Sequence, residues 1–449
     1  MKIGEEYNLI IEKLSSTGMG LAKIDGFVIF VENVCPQDKV KVRITKINKN
    51  YAFAQISEML VPSEYRTEPF CPMQKVCGAC QLQFIDYDYQ LEIKRQITED
   101  AMRKIGGLDV DIPLPIASPE IRNYRHKIQY PISQTKNSKR ILAGYYKPQS
   151  HEIVNIKYCP IQPEICDKII EFIRENAQSF GISGYSEQSH CGVLRHVVIR
   201  SSSTNKKNLV TLVVNLKKTS DDLKNFANAI YDAFEEVSGV CVNFNSAKTN
   251  VIMGNNTKCI YGNEYIEEKI LDKIFLIGAQ TFFQVNPKSA ENIFKYVKNY
   301  INTNFKKPIV LDAYAGISAF GICVSDVAGQ VVSIEENLKS VELAKQCSSL
   351  NHVDNIEIHG GDAGEFFAIE KRKFDVIILD PPRKGCTRQS LDEAYRLCVN
   401  TIVYVSCNPA TLARDLKYLK QKGCRIESIQ PFDMFCHTYH IENVAIIKI

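Results

Sequence analysis

The sequence contains no apolar run approaching the roughly eighteen residues of a membrane-spanning helix, no internal repeat and no low-complexity tract. That leaves packed domains without a membrane. The opening stretch, Met1 to Asn8, carries Glu5 and Glu6 and has no apolar core, so an export leader is not expected. Net charge is scarce: 55 basic and 51 acidic side chains leave +4, so any nucleic-acid binding must come from a local patch rather than the field of the whole chain. Cysteine, by contrast, is plentiful. Sixteen in a chain of 449 residues without a leader do not read as a secreted disulfide framework, and a reducing cytoplasm is the expected location. A hydrophobic content of 45% over this length suits about three domains, each with its own core.

From Ile309 onward, short apolar runs alternate with helical stretches near Leu338–Leu350, Arg388–Val399 and Ala410–Lys422, which predicts a parallel, doubly wound α/β sheet of Rossmann-like type. Chemistry in such sheets sits beyond the carboxyl ends of the strands. The run Ile402–Val405 stops at Ser406-Cys407-Asn408-Pro409, which puts a thiol at that rim. Phe374–Leu379 stops at Asp380-Pro381-Pro382-Arg383, where two prolines hold an extended turn. Val331–Ile334 ends in Glu335, placed to bond ribose hydroxyls, and Asp362 follows the run Ile356–Gly361. The turn Asp312-Ala313-Tyr314-Ala315-Gly316-Ile317-Ser318 lacks the second glycine of the dinucleotide fingerprint, which favours a nucleoside-bearing ligand over a dinucleotide.

Three further segments stand out. Cys71, Cys77 and Cys80 are spaced Cys-x5-Cys-x2-Cys, and Cys159-Pro160 follows much later; four such thiols can hold an iron–sulfur cubane, and zinc accepts the same set. In the first sixty residues, Asp38–Ile44 alternates with period two, throwing Lys39, Lys41 and Arg43 onto one face of an OB-like β-barrel suited to single-stranded nucleic acid. From Arg122 to Lys147 there are seven basic residues and no acid, interleaved with Tyr124, Tyr130, Tyr145 and Tyr146. Cations for phosphates and rings for bases are what an RNA groove requires, with Arg122, Arg125 and Lys127 as the expected phosphate contacts.

The Asp312–Ile317 turn, Asp380-Pro381-Pro382-Arg383, Ser406-Cys407-Asn408-Pro409 and His437-Thr438-Tyr439-His440-Ile441-Glu442 together resemble the motifs of the RumA/TrmA family of RNA uracil-5-methyltransferases, across essentially the whole chain. The resemblance implies S-adenosylmethionine as methyl donor, Cys407 as the nucleophile at carbon 6 of uracil and Glu442 as the base at carbon 5. It also implies Gln284, Tyr314, Glu335 and Asp380 as cofactor contacts, and a four-iron cluster on Cys71, Cys77, Cys80 and Cys159; Asp362 joins the expected cofactor contacts by its place after a strand. Ala315, Ser318 and Cys436 depart from the family's usual Cys, Gly and Pro, none at a catalytic position. The first unit resembles a TRAM domain.

The expected layout is a TRAM-like barrel over 1–61, a central α+β domain with the cluster and an RNA surface over 62–275, and the methyltransferase domain over 276–449. The helical segment Gln90–Ile105 can pack against that last domain. Because the transfer-RNA branch of the family typically lacks barrel and cluster, the expected partner is large-subunit ribosomal RNA in an unfolded or single-stranded segment, bound by a monomer. An RNA cytosine-5-methyltransferase would place its thiol beside the strand-four prolines, where Arg383 stands, and an adenine amino methyltransferase would not need Cys407. An RNA-binding assembly factor without turnover is the alternative from another class.

Overall fold

The computed structural model describes all residues from Met1 to Ile449. The chain first forms a six-stranded curled sheet, Glu6–Ile10, Lys13–Leu14, Gly20–Ile24, Phe27–Val31, Lys39–Ile47 and Tyr51–Val61, around a core of Leu9, Ile29, Val40, Val42 and Ala52. Val40, Val42 and Ile44 point inward and Lys39, Lys41 and Arg43 outward, as the alternation predicts. The outward face is not free: Glu6 on the neighbouring strand lies 2.9 Å from both Lys41 and Arg43.

The central unit is a second six-stranded sheet in which Lys127–Gln134, Leu194–Ser201, Asn208–Val214 and Val237–Phe244 lie side by side. Helices Glu164–Asn176 and Asp221–Ala233 contribute to its core. A hairpin, Tyr265–Ile270 with Lys273–Gly278, follows. It straddles the expected boundary at 275/276, and Ile266, Phe275 and Ile277 share one core with Val310 and Val376 of the catalytic sheet. Leu209 and Cys241 of the central sheet join the same core, so the hairpin bridges the two units.

The catalytic sheet has seven strands: β1 (Ile309–Ala313), β2 (Gln330–Glu335), β3 (Ile356–Gly360), β4 (Phe374–Leu379), β5 (Cys398–Ser406), β6 (Arg425–Phe432) and β7 (Glu442–Lys448). Their spatial order is 3-2-1-4-5-7-6, all neighbours parallel until β7, which runs antiparallel to both β5 and β6. Near-continuous burial of Val376–Leu379 and Thr401–Ser406 reflects helices on both faces. No helix is long and apolar enough to cross a membrane.

Helix Tyr87–Ala101 extends through a wider-wound turn, Met102–Gly106, and packs on the catalytic domain. Lys94 on it forms a fully buried ion pair with Asp433 at 2.6 Å and also donates to the Phe435 carbonyl at 3.0 Å. Gln90 accepts from the His437 backbone N–H at 3.1 Å. These bonds fix the segment that leads into β7.

Candidate active site

At the carboxyl end of β1 the chain turns sharply into helix Ala319–Val324. Tyr314, Gly316 and Ser318 all adopt left-handed backbone, with φ of 62°, 58° and 58°. Only the glycine is at ease there, and such strain is a mark of sites whose loop shape matters. At Ser318, where the family usually has glycine, the hydroxyl bonds the Ser333 hydroxyl at 2.6 Å and offsets part of the cost. A side chain at Gly316 would meet nothing within 4 Å, so the turn opens onto free space.

Three carboxylates lie around that turn. Glu335, ending β2, accepts the backbone N–H groups of Gly316 and Asn337 at 2.8 Å each. Asp312 in β1 is fully buried; one oxygen accepts from Gly321 at 2.8 Å and the other has no partner. Burial, together with Asp380 and Glu335, pushes its carboxyl up to about 7. Asp380, just after β4, is pushed up to about 7 by burial. Converging acids with an unpartnered buried oxygen suit a cationic, hydroxyl-bearing ligand. Asp312 was absent from the residues singled out in the sequence, although it sits in the turn motif; an acid inside an apolar strand was the available signal. The Tyr314 ring lies beside Cys386, Ser390 and Asp362. Asp362 itself is exposed and caps helix Ala363–Ile369 by accepting from Glu365 at 3.0 Å.

Cys407 follows β5 directly. The last paired residues of β5 and β7 are Ser406 and Asn443, so one step further along this antiparallel ladder Cys407 faces Glu442. Glu442 is also paired with Phe432 of β6 and is only 4% exposed. Burial, and secondarily Asp380, raises its carboxyl well above the usual range, while Arg383 opposes the shift. The Cys407 thiol is pushed up to about 11 by burial, then by Glu442 and Asp380, with Arg383 pulling it down through charge and a hydrogen bond. Arg383 is thus the cation of the site, a role sequence reasoning missed. Its carbonyl is tied to the next turn by the Asn408 amide and the Thr411 hydroxyl, 3.2 Å each.

Gln284 follows Phe283 on the chain. It lines a cavity with Lys127, Arg200 and Phe283, on the turn before helix Pro287–Asn304.

Cys71, Cys77, Cys80 and Cys159 line a single apolar cavity. Gly78 is required between them, because a Cβ there would lie 2.9 Å from the Tyr146 carbonyl oxygen. Burial pushes all four thiols up, Cys159 to about 12. No three potential ligands are gathered closely enough to hold a single metal ion. The expected cluster ligands therefore share one apolar cavity without being gathered around a common centre.

The basic segment is a mixed case. Tyr124 and Tyr130 are core residues, donating to the Cys436 carbonyl at 2.8 Å and to Gln162 at 3.2 Å, so they cannot stack bases. Both lie on the inward side of a strand or loop, a direction composition does not reveal. Arg122 lies over the Phe70 ring at 4.3 Å, and the Arg125 guanidinium is buried near Tyr145.

This sheet order, with an open acid-lined turn after β1, defines an S-adenosylmethionine-dependent methyltransferase. The chain belongs to the tRNA (uracil-5-)-methyltransferase family, whose pattern matches residues 86–448, and residues 1–57 match the TRAM domain. It is similar to an uncharacterized RNA methyltransferase of Clostridium tetani, 36% identical over 100% of this chain and 97% of that one. An uncharacterized RNA methyltransferase of Oceanobacillus iheyensis is 36% identical over 98% of this chain and 96% of its own length. The crystal structure of Pyrococcus abyssi tRNA (uracil-54, C5)-methyltransferase with S-adenosyl-L-homocysteine superposes with a TM-score of 0.77 and 28% identity, covering 98% of this chain and 100% of that one.

Proposed function

We propose that the protein methylates carbon 5 of a uridine in large-subunit ribosomal RNA, with Cys407 as nucleophile and Glu442 as base. The observation that carries this reading is the register that sets Cys407 against Glu442 at the rim shared with Asp380. S-adenosylmethionine supplies an electrophilic sulfonium methyl; Glu335, Asp312, Asp380, Tyr314, Asp362 and Gln284 are the residues proposed to hold it. Carbon 5 of uracil is too weak a nucleophile to take that methyl unaided. The Cys407 sulfur adds to carbon 6, and carbon 5 becomes enolate-like. After transfer, Glu442 removes the carbon-5 proton, and the electron pair returns to expel the Cys407 thiolate. Arg383 sits where it can stabilise the thiolate and the developing oxyanion.

Cys71, Cys77, Cys80 and Cys159 are proposed to hold a four-iron cluster. Their raised pKa values mean that without a metal the thiols stay protonated and inert, and metal binding would displace those protons. The protein is proposed to act as a cytoplasmic monomer on an unfolded or single-stranded segment.

A transfer-RNA substrate is the second reading, favoured by the Pyrococcus structure. A tRNA enzyme that aligns with 98% of this chain has the same overall layout. The barrel therefore does not by itself select ribosomal RNA. Incubating Cys407→Ala and Glu442→Gln with RNA and methyl donor tests the chemistry: the first should form neither product nor adduct, and the second should accumulate a methylated protein–RNA adduct. Turnover by Cys407→Ala would sink the assignment.

A further inference from the structure

Lys127 and Arg200 are direct cross-strand partners in the central sheet, two cations set opposite each other. Such like-charged pairs destabilise a sheet unless an anion lies between them. Neither has a carboxylate partner. Arg200 is only 4% exposed; it donates to the Thr281 carbonyl, and its Nε has no hydrogen-bond partner at all. Both side chains line one cavity with His126, Ser201, Glu268 and Gln284. Glu268 shares the cavity without forming an ion pair with either; its oxygens take the Ser203 N–H and hydroxyl at 2.8 Å and the Thr204 hydroxyl at 2.6 Å. Burial, with Arg200 and Arg125 nearby, pulls the Lys127 ammonium down to about 7, which is the behaviour of a cation lacking its counterion. The cavity lies at the seam between central and catalytic units, where the His126 N–H donates to the Val285 carbonyl at 2.7 Å.

We infer that this cavity is an oxyanion site that takes one backbone phosphate of the substrate RNA, with Lys127 and Arg200 as its ligands. A buried guanidinium with a free N–H, opposed by an ammonium, matches a phosphodiester in charge and donor count. The inference rests on the RNA-methyltransferase reading for its choice of anion. The cofactor's carboxylate has the same chemistry, and the test separates the two.

The experiment measures binding of a single-stranded RNA oligonucleotide to wild type, Lys127→Gln and Arg200→Gln across a salt series, with S-adenosylhomocysteine affinity measured alongside by calorimetry. Loss of one phosphate contact should flatten the slope of log affinity against log salt by about 0.7 in each variant. Cofactor-product affinity should be unchanged. Lys127→Gln without RNA should melt no lower than wild type, because it relieves a repulsion. An unchanged slope would overturn the site, as would a lowered melting temperature for Lys127→Gln, which would mean an internal counterion. A tenfold loss of S-adenosylhomocysteine affinity with the slope intact would assign the anion to the cofactor instead and overturn the RNA phosphate. If wild type made no 5-methyluridine yet the variants lost salt slope, the functional reading would fail and the pocket would stand.

Discussion

Replacing Glu442 with Gln should have opposite effects on the two halves of the reaction. In the wild-type protein the Cys407 thiol is pushed up to about 11, with burial as the largest cause and the Glu442 carboxylate next. At pH 8 such a thiol is ionised in only about one molecule in a thousand. The amide in Glu442→Gln carries no charge, so over the pH range where Glu442 is ionised in wild type the thiol is relieved of that repulsion and its pKa falls. Each unit of fall multiplies the thiolate tenfold but lowers its intrinsic nucleophilicity about threefold, for a net gain of about three- to fourfold. Residue-resolved alkylation of Cys407 by iodoacetamide, followed by mass spectrometry from pH 7 to 10, measures this directly. Wild type should show a rate climbing about tenfold per pH unit without a plateau, and Glu442→Gln should lie above it. Yet on RNA the same variant should stall after methyl transfer, leaving an adduct that survives denaturing electrophoresis. RNA containing 5-fluorouridine should trap wild type similarly, since fluorine cannot leave as a proton does. A Glu442→Gln enzyme that alkylates more slowly than wild type, or releases methylated RNA at the wild-type rate, would refute the pairing of these two side chains.

Protein purified anaerobically should be brown with about four irons per chain, and Cys71→Ser or Cys159→Ser should bleach it; colourless protein with one zinc would count against the cluster. Asp312 has a folded-state pKa near 7, raised from about 4, so the folded state holds its proton more tightly and this group's stability contribution is lost as pH rises from about 4 to 7. Asp312→Asn should therefore stabilise the cofactor-free protein, by about 2.5 kcal/mol more at pH 8 than at pH 5. Chemical denaturation at the two pH values checks the sign, and a gain that did not grow with pH would contradict the burial argument. Lys94→Ala leaves Asp433 buried without its cation and should cost about 3–5 kcal/mol; a urea midpoint indistinguishable from wild type would mean the pair is not buried in solution.

The catalytic sheet was legible because its strands are continuous apolar runs closed by Asp, Glu, Pro or Gly, and its helices keep a regular period. Helix Arg388–Leu397 ends two residues earlier than the pattern suggested, where Cys398 begins β5. Cys407, Glu442 and Asp380 were marked by position after a strand or by motif, but nothing in one-dimensional spacing shows that Cys407 and Glu442 face each other. That follows from β7 inserting antiparallel between β5 and β6, a choice made by tertiary packing. Arg383 and Asp312 were visible only as motif neighbours, since a residue's electrostatic role depends on who shares its cavity. The tyrosines of the basic segment illustrate the converse: Tyr124 and Tyr130 read as base platforms by composition and are packed inward by the fold. Lys41 and Arg43 were placed on the correct face, but Glu6, far off in sequence, meets them there.

The proposed reaction is transfer of a methyl group to carbon 5 of uridine in ribosomal RNA. Purified protein should be incubated with isotopically labelled S-adenosylmethionine and RNA from a strain lacking the gene, and labelled nucleosides should then be mapped by mass in separated ribosomal and transfer RNA. Label as 5-methyluridine in the large-subunit ribosomal RNA, absent with Cys407→Ala, is the predicted result. Label confined to transfer RNA would contradict the substrate, and label on any atom other than carbon 5, or none at all, would contradict the chemistry.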